Sequence, residues 1–147
     1  MKLTKFIAVL LMFASLSMVV TSCSKDDKED INNEQPGKSD SGISALKDTG
    51  SEISYSVWET EKGVKMTITT FYGYDKASGK ITSMKVVYEC NNSTFLDLLY
   101  EELKQDEDFQ NVSKSGGKIT CNVSPEEYED MTADEVKLGY ELLKEQY

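Results

Sequence analysis

The chain has 147 residues, with 26 Asp and Glu against 16 Lys, and neither Arg nor His occurs in it. A net charge of −10 repels nucleic acid and anionic membrane surfaces. Without His or Arg, the commonest general base, the commonest metal ligand and the usual phosphate fork are all missing.

Lys2 and Lys5 open the chain, and an uncharged apolar run of 15 residues from Phe6 to Val20 follows. That run is short of the ~20 residues a bilayer-spanning helix needs. It leads into Val20-Thr21-Ser22-Cys23, the small residues that precede a secretion cut site. Residues 1–22 are therefore expected to be a removed signal peptide, leaving 14 Lys against 26 acids. The aliphatic Val20, the small Thr21 and Ser22, and Cys23 resemble the lipobox of bacterial lipoproteins. The resemblance implies a diacylglycerol thioether on Cys23, acylation of its new amine, and an outer-membrane location anchored by lipid. Lys25-Asp26-Asp27 resembles the export signal that follows the lipid-bearing Cys in surface-exposed lipoproteins of Bacteroidota-type bacteria; the alternative is a plain solvated spacer.

From Ser24 to Gly42 the residues are almost all charged or small and polar, a composition that cannot bury enough surface to offset the entropy of ordering. Residues 23–47 are read as a lipidated Cys with a disordered acidic tether, and 48–147 as a single domain.

Within that domain the first strand is Ile53 to Trp58, with Ile53, Tyr55 and Val57 alternating on one face. The second, Val64 to Tyr72, places Val64, Met66 and Ile68 together. Odd positions must share a face with even ones, which requires a two- or four-residue loop; Glu61-Lys62 or Lys62-Gly63 supplies the shorter. Strand three, Lys80 to Cys90, presents Met84, Val86, Tyr88 and Cys90, and a five-residue loop centred on Ala77 brings them to the same face. A helix from Thr94 to Gln105, capped by Ser93 or Thr94, carries Phe95, Leu96, Leu99 and Leu103 along one side. A hairpin of Phe109–Lys114 and Lys118–Val123 around Gly116-Gly117 sets Val112 opposite Cys121. Ser124-Pro125-Glu126-Glu127 reads as a capped short helix, broken near Met131. Thr132 and Glu135 then open a longer helix to about Gln146, with Val136, Tyr140, Leu143 and Tyr147 as its apolar stripe. The expected fold class is α+β: an antiparallel sheet of about five strands in βββ-α-ββ-α order, with helices on its apolar face. The neighbour of the second hairpin is left open.

This order, with Gly63-Val64-Lys65-Met66-Thr67-Ile68-Thr69-Thr70 opening a hairpin after a lipid anchor, resembles the YehR-like family of small bacterial lipoproteins. The likeness is specific over residues 63–70 and extends in pattern over roughly 60–146. It implies fold and location; the family brings no activity to carry over.

Catalytic chemistry finds little support. A Ser or Cys nucleophile needs an activating base, and Cys90 and Cys121 fall on core faces where a thiol is inert. Those two are either a disulfide, as an even pair in an exported protein suggests, or separate buried thiols. Asp106-Glu107-Asp108 and the acids of Glu126–Asp130 lack the alternating spacing and central Gly of a calcium loop. No metal or cofactor is expected. With 26 acids some carboxylate pair lies at any separation, so spacing says nothing about glycoside cleavage. One constellation remains: Trp58, Phe71 and Val87 on the polar face, among Ser54, Ser56, Thr67, Thr69 and Lys85. It reads either as a partner surface for an envelope protein or glycan, or as ordinary cross-strand support. The expected function is a lipid-anchored, non-catalytic binding or accessory module of the cell envelope; the alternative is a small envelope enzyme using carboxylate or Lys chemistry.

Overall fold

The computed structural model describes residues 40–147; Cys23, the signal segment and most of the expected tether lie outside them. The described chain is α+β, an antiparallel sheet with two α-helices. Its strands are β1 (Asp40–Ile43), β2 (Lys47–Asp48), β3 (Glu52–Glu61), β4 (Val64–Tyr74), β5 (Ile81–Cys90), β6 (Phe109–Ser115) and β7 (Lys118–Val123). Helix α1 (Ser93–Gln105) separates β5 from β6, and α2 (Ala133–Lys144) closes the chain. Across the sheet the order is β1-β3-β4-β5-β7-β6, with β2 also on the outer edge of β3.

The strand count departs from expectation. The sheet has seven strands rather than about five, because it begins at Asp40, inside the segment read as tether. β1 and β2 run consecutively along β3, Asp40 opposite Thr60 and Asp48 opposite Ile53. An edge strand needs hydrogen bonds on one side only, so polar residues suffice for it. The open question of strand order is answered by β7, which lies beside β5.

Local chemistry explains the turns. Glu61 pairs with Val64, leaving Lys62-Gly63 as a two-residue turn with both φ positive (49° and 82°), the geometry that matches strand twist. Asn91 staples that turn: its Nδ2 donates to the Gly63 carbonyl at 2.9 Å, and its Oδ1 accepts from the Lys65 amide at 2.8 Å. The β4–β5 connection keeps the expected parity, Tyr72 opposite Met84 and Val86 opposite Thr70, with a bulge at Gly73/Tyr74. The α1 cap is Asn92, not Ser93 or Thr94; its Oδ1 accepts from the Phe95 amide at 3.0 Å. Ser124 makes no side-chain cap, and the expected short helix is a single 3-10 turn, Pro125–Glu127. The Thr132–Glu135 capping box forms as expected.

Both helices cover one face of the sheet. Ile53, Val57, Met66, Tyr72, Met84, Val86, Tyr88, Ile119, Cys121 and Val123 are buried there against Leu96 and Leu103 of α1 and Val136 and Tyr140 of α2. Each fully buried aliphatic side chain contributes about 1.5–3 kcal/mol of transfer free energy. The helical stripes are narrower than expected: Leu99 and Leu143 are half-buried and Tyr147 is exposed. Three tyrosines link α2 to the sheet. Tyr55 stacks on Tyr72 at 6.1 Å and meets Tyr140 at 5.2 Å. Asp48 is tied to α2 by Lys137 at 2.7 Å and to β4 by the Tyr74 hydroxyl at 2.8 Å.

Candidate functional site

The opposite face of the sheet is organised by register into three cross-strand rows, since directly opposed residues share a face. One is Trp58–Thr67–Glu89–Lys118, the next Ser56–Thr69–Val87–Thr120, and the third Ser54–Phe71–Lys85–Asn122. Trp58, Phe71 and Val87 are all half-buried there. The structure brings Phe71 and Val87 together as diagonal neighbours. It keeps Trp58 apart from Phe71, two rows and one strand away, ~14 Å between Cα atoms at ordinary sheet spacing. The row between them is polar, with Ser56 Oγ and Thr69 Oγ1 at 2.8 Å. Trp58 and the Phe71–Val87 pair are thus two separate anchors on a hydroxyl-rich face rather than one apolar patch.

The two aromatic anchors each have a local partner. The indole of Trp58 lies over Gly42 of β1, in the space a side chain there would fill. Lys85 Nζ sits 4.4 Å from the centroid of the Phe71 ring, a cation–π contact. Glu89 and Lys118 pair at 2.6 Å.

At the Phe71 end this face opens into a cleft of about 330 Å³. Phe71, Lys85, Asn122 and Gln110 form one cross-strand series along it, and Glu52 and Ser83 stand in the next. Between Glu52 and Ser83 the register places Gly73, and the Ser83 hydroxyl leans into the space over it. Met84 and Val123 also border the cleft, although their side chains are buried on the helix face, and Pro125 and the buried Tyr128 form the wall. Of these, only Phe71 and Lys85 were within reach of sequence reasoning about the face. Glu52, Ser83, Gln110, Asn122 and Tyr128 converge from separate segments through the strand order, and no local spacing announces them.

The two thiols are free and buried. β7 does run beside β5, but Cys121 faces Val86 and the Cys90 amide bonds to the Gly117 carbonyl. Four rungs therefore separate them, ~13 Å along the strands, far beyond the ~7 Å limit for a bridge. The disulfide alternative is not formed. Burial pushes the Cys121 thiol up to about 12, and its S–H points at the Val86 carbonyl, 3.8 Å away. Cys90 Sγ accepts from the Asn92 amide at 3.4 Å.

The carboxyls of Asp48 and Asp75 are held below their ordinary range. Asp48 falls to about 2 through its bonds to Lys137, the Gly50 amide and Tyr74. Asp75 is lowered by the Ser78 hydroxyl and amide within its own turn. These are local tethers of exposed acids. Among the described residues no three acidic or Cys side chains are grouped to hold a metal ion, and no helix is long and apolar enough to cross a membrane. No family model, no curated protein and no solved structure matches the chain.

Proposed function

We propose that this protein is a lipid-anchored, non-catalytic binding module of the cell envelope, held at the outer membrane through Cys23 and working through the face of its sheet opposite the helices. The observation that carries this reading is the segregation of the two faces. Both helices pack on one side, while Trp58, Phe71 and Val87 stand on the other among Ser, Thr and Lys. Half-buried aromatics framed by hydroxyl groups suit recognition, because they give contact area while neighbouring polar groups stay hydrated in the free protein. The N-terminal pattern ending in Cys23 supports the anchor and the location.

The test has two arms. Cys23→Ala should abolish labelling by palmitate, and retained label would sink the anchor. Cross-linking of the full chain in intact envelopes should then capture a partner that Val87→Lys releases, because a charge in the middle row blocks close approach. Equal capture by the wild type and Val87→Lys would remove the sheet face from the interaction.

A further inference from the structure

We propose that the cleft between Phe71, Lys85 and the Pro125–Tyr128 turn is a binding site for a neutral saccharide. The proposal deepens the binding-module reading and rests on it.

The chemistry of the lining selects the ligand class. One carboxylate, Glu52, and one ammonium, Lys85, leave the cleft with no net charge, although the chain as a whole carries −10. A phosphate or other polyanion would meet that overall field with a single Lys against it. The remaining polar groups are two carboxamides, Gln110 and Asn122, and the Ser83 hydroxyl. Each carboxamide donates and accepts at once, as does a hydroxyl. Such a set matches a ligand whose every polar group also does both, which is what a ring bearing adjacent hydroxyls offers. Its C–H faces need apolar surface, and Phe71 and Pro125 supply it. A cleft of about 330 Å³ is at the small end of ligand sites, ~300–1,000 Å³, and its open side suits the end or turn of a chain rather than an enclosed metabolite.

The architecture holds these groups in place. Four of the polar side chains sit on paired strands: Ser83 and Lys85 on β5, Asn122 on β7, and Gln110 on β6 opposite Asn122. Gly73 leaves the floor between Glu52 and Ser83 without a side chain. The β6 bulge between Gln110 and Ser113, where Asn111 takes φ 52°, shifts Gln110 by one residue into register with Asn122. A bulge of this kind re-aims a side chain. Without it, the ladder set by Ser115–Lys118 and Ser113–Thr120 would place Asn111, not Gln110, opposite Asn122.

The test titrates the full chain with neutral oligosaccharides (glucans of both anomeric types, mannan and chitin fragments) at millimolar concentration, followed by calorimetry and by hydrogen–deuterium exchange. At least one should bind, with protection in 81–86, 108–112 and 122–128, and Q110A/N122A should weaken it by about tenfold or more, the worth of one to two hydrogen bonds. Both residues are exposed, and the exchange map of the wild type stands even if the double variant misfolds. No binding by any saccharide would overturn the proposal, as would occupancy of the cleft by free alanine alone, which would mark a zwitterion site built on Glu52 and Lys85. Saccharide protection confined to 56–58 and 67–69 would overturn the cleft while leaving the sheet face as a binding surface.

Discussion

The hydroxyl of Tyr140, on the last helix, donates to the carbonyl of Ser44 at 2.9 Å across 96 residues of sequence. Ser44 lies between the two outer strands, and its own Oγ accepts from the Ser56 amide at 2.9 Å. The edge of the sheet is therefore latched by the helix layer as well as by its own ladder. Tyr140→Phe should cost about 0.5–1.5 kcal/mol, the net worth of one hydrogen bond. Amide exchange should rise in 41–48 before it rises in β4 or β5. Unchanged exchange at the edge would show that the ladder alone holds it.

Gly42 is the only residue type whose lack of a side chain leaves room for the Trp58 indole. Gly42→Ala should force either the ring or β1 away, at about 1–3 kcal/mol for overpacking. Trp58 is half-buried, so acrylamide should quench its fluorescence partly in the wild type and more fully in the variant. An unaltered quenching constant would mean that β1 yields and the ring does not.

Alkaline pH should unfold the protein cooperatively. Burial raises Tyr72, Tyr55 and Tyr88 above the ordinary tyrosine range and lifts Cys121 to about 12. The fold therefore holds these protons more tightly than the unfolded chain. Their stabilisation is fully present below the unfolded values, ~8.5 for Cys and ~10 for Tyr, and is lost as pH rises beyond them. Each such group removes about 1.4 kcal/mol per pH unit in that window. Tyrosinate absorbance should appear together with loss of the circular dichroism signal. At the other extreme, lowered Asp48 stabilises above its unfolded value of ~3.9 and loses that contribution as pH falls towards about 2; Asp48→Asn should flatten this part of the acid profile.

Cys90 and Cys121 should both alkylate only after denaturation, with the same mass whether or not reductant is present, because they are free and buried. Native Cys121 is protected twice over, since thiolate is the reactive form and its thiol is raised to about 12. A sample denatured without reductant that lacked both alkyl groups would contradict the β5–β7 register.

Periodicity made much of this legible. The parity argument for β3 and β4 selected a two-residue turn, and Lys62-Gly63 is that turn. The helices, their faces and the Thr132 box followed from spacing and capping chemistry. What escaped depends on contacts distant in sequence. β1 and β2 contain few apolar residues, so composition assigned them to the tether; their order comes from β3, Trp58 and Tyr140. Val112 was expected opposite Cys121, but the β6 ladder shifts there and the pairing is not kept. The cleft required knowing that β7 lies beside β5, which nothing in either strand declares.

The direction of β1 also governs how the domain bears load. The chain enters at Asp40, beside Thr60, at the end of the sheet that holds the Lys62-Gly63 turn; the cleft lies at the other end, where β3 begins at Glu52. A pull between the proposed lipid anchor and a ligand in the proposed site would run parallel to the strands. The β1–β3 ladder is then strained in shear, with its rungs from Asp40–Thr60 to Ile43–Val57 resisting together rather than peeling in turn. Trp58 over Gly42 and Tyr140 on Ser44 act as stops against that sliding, so the edge assembled from the most polar strands is the one placed to withstand tension.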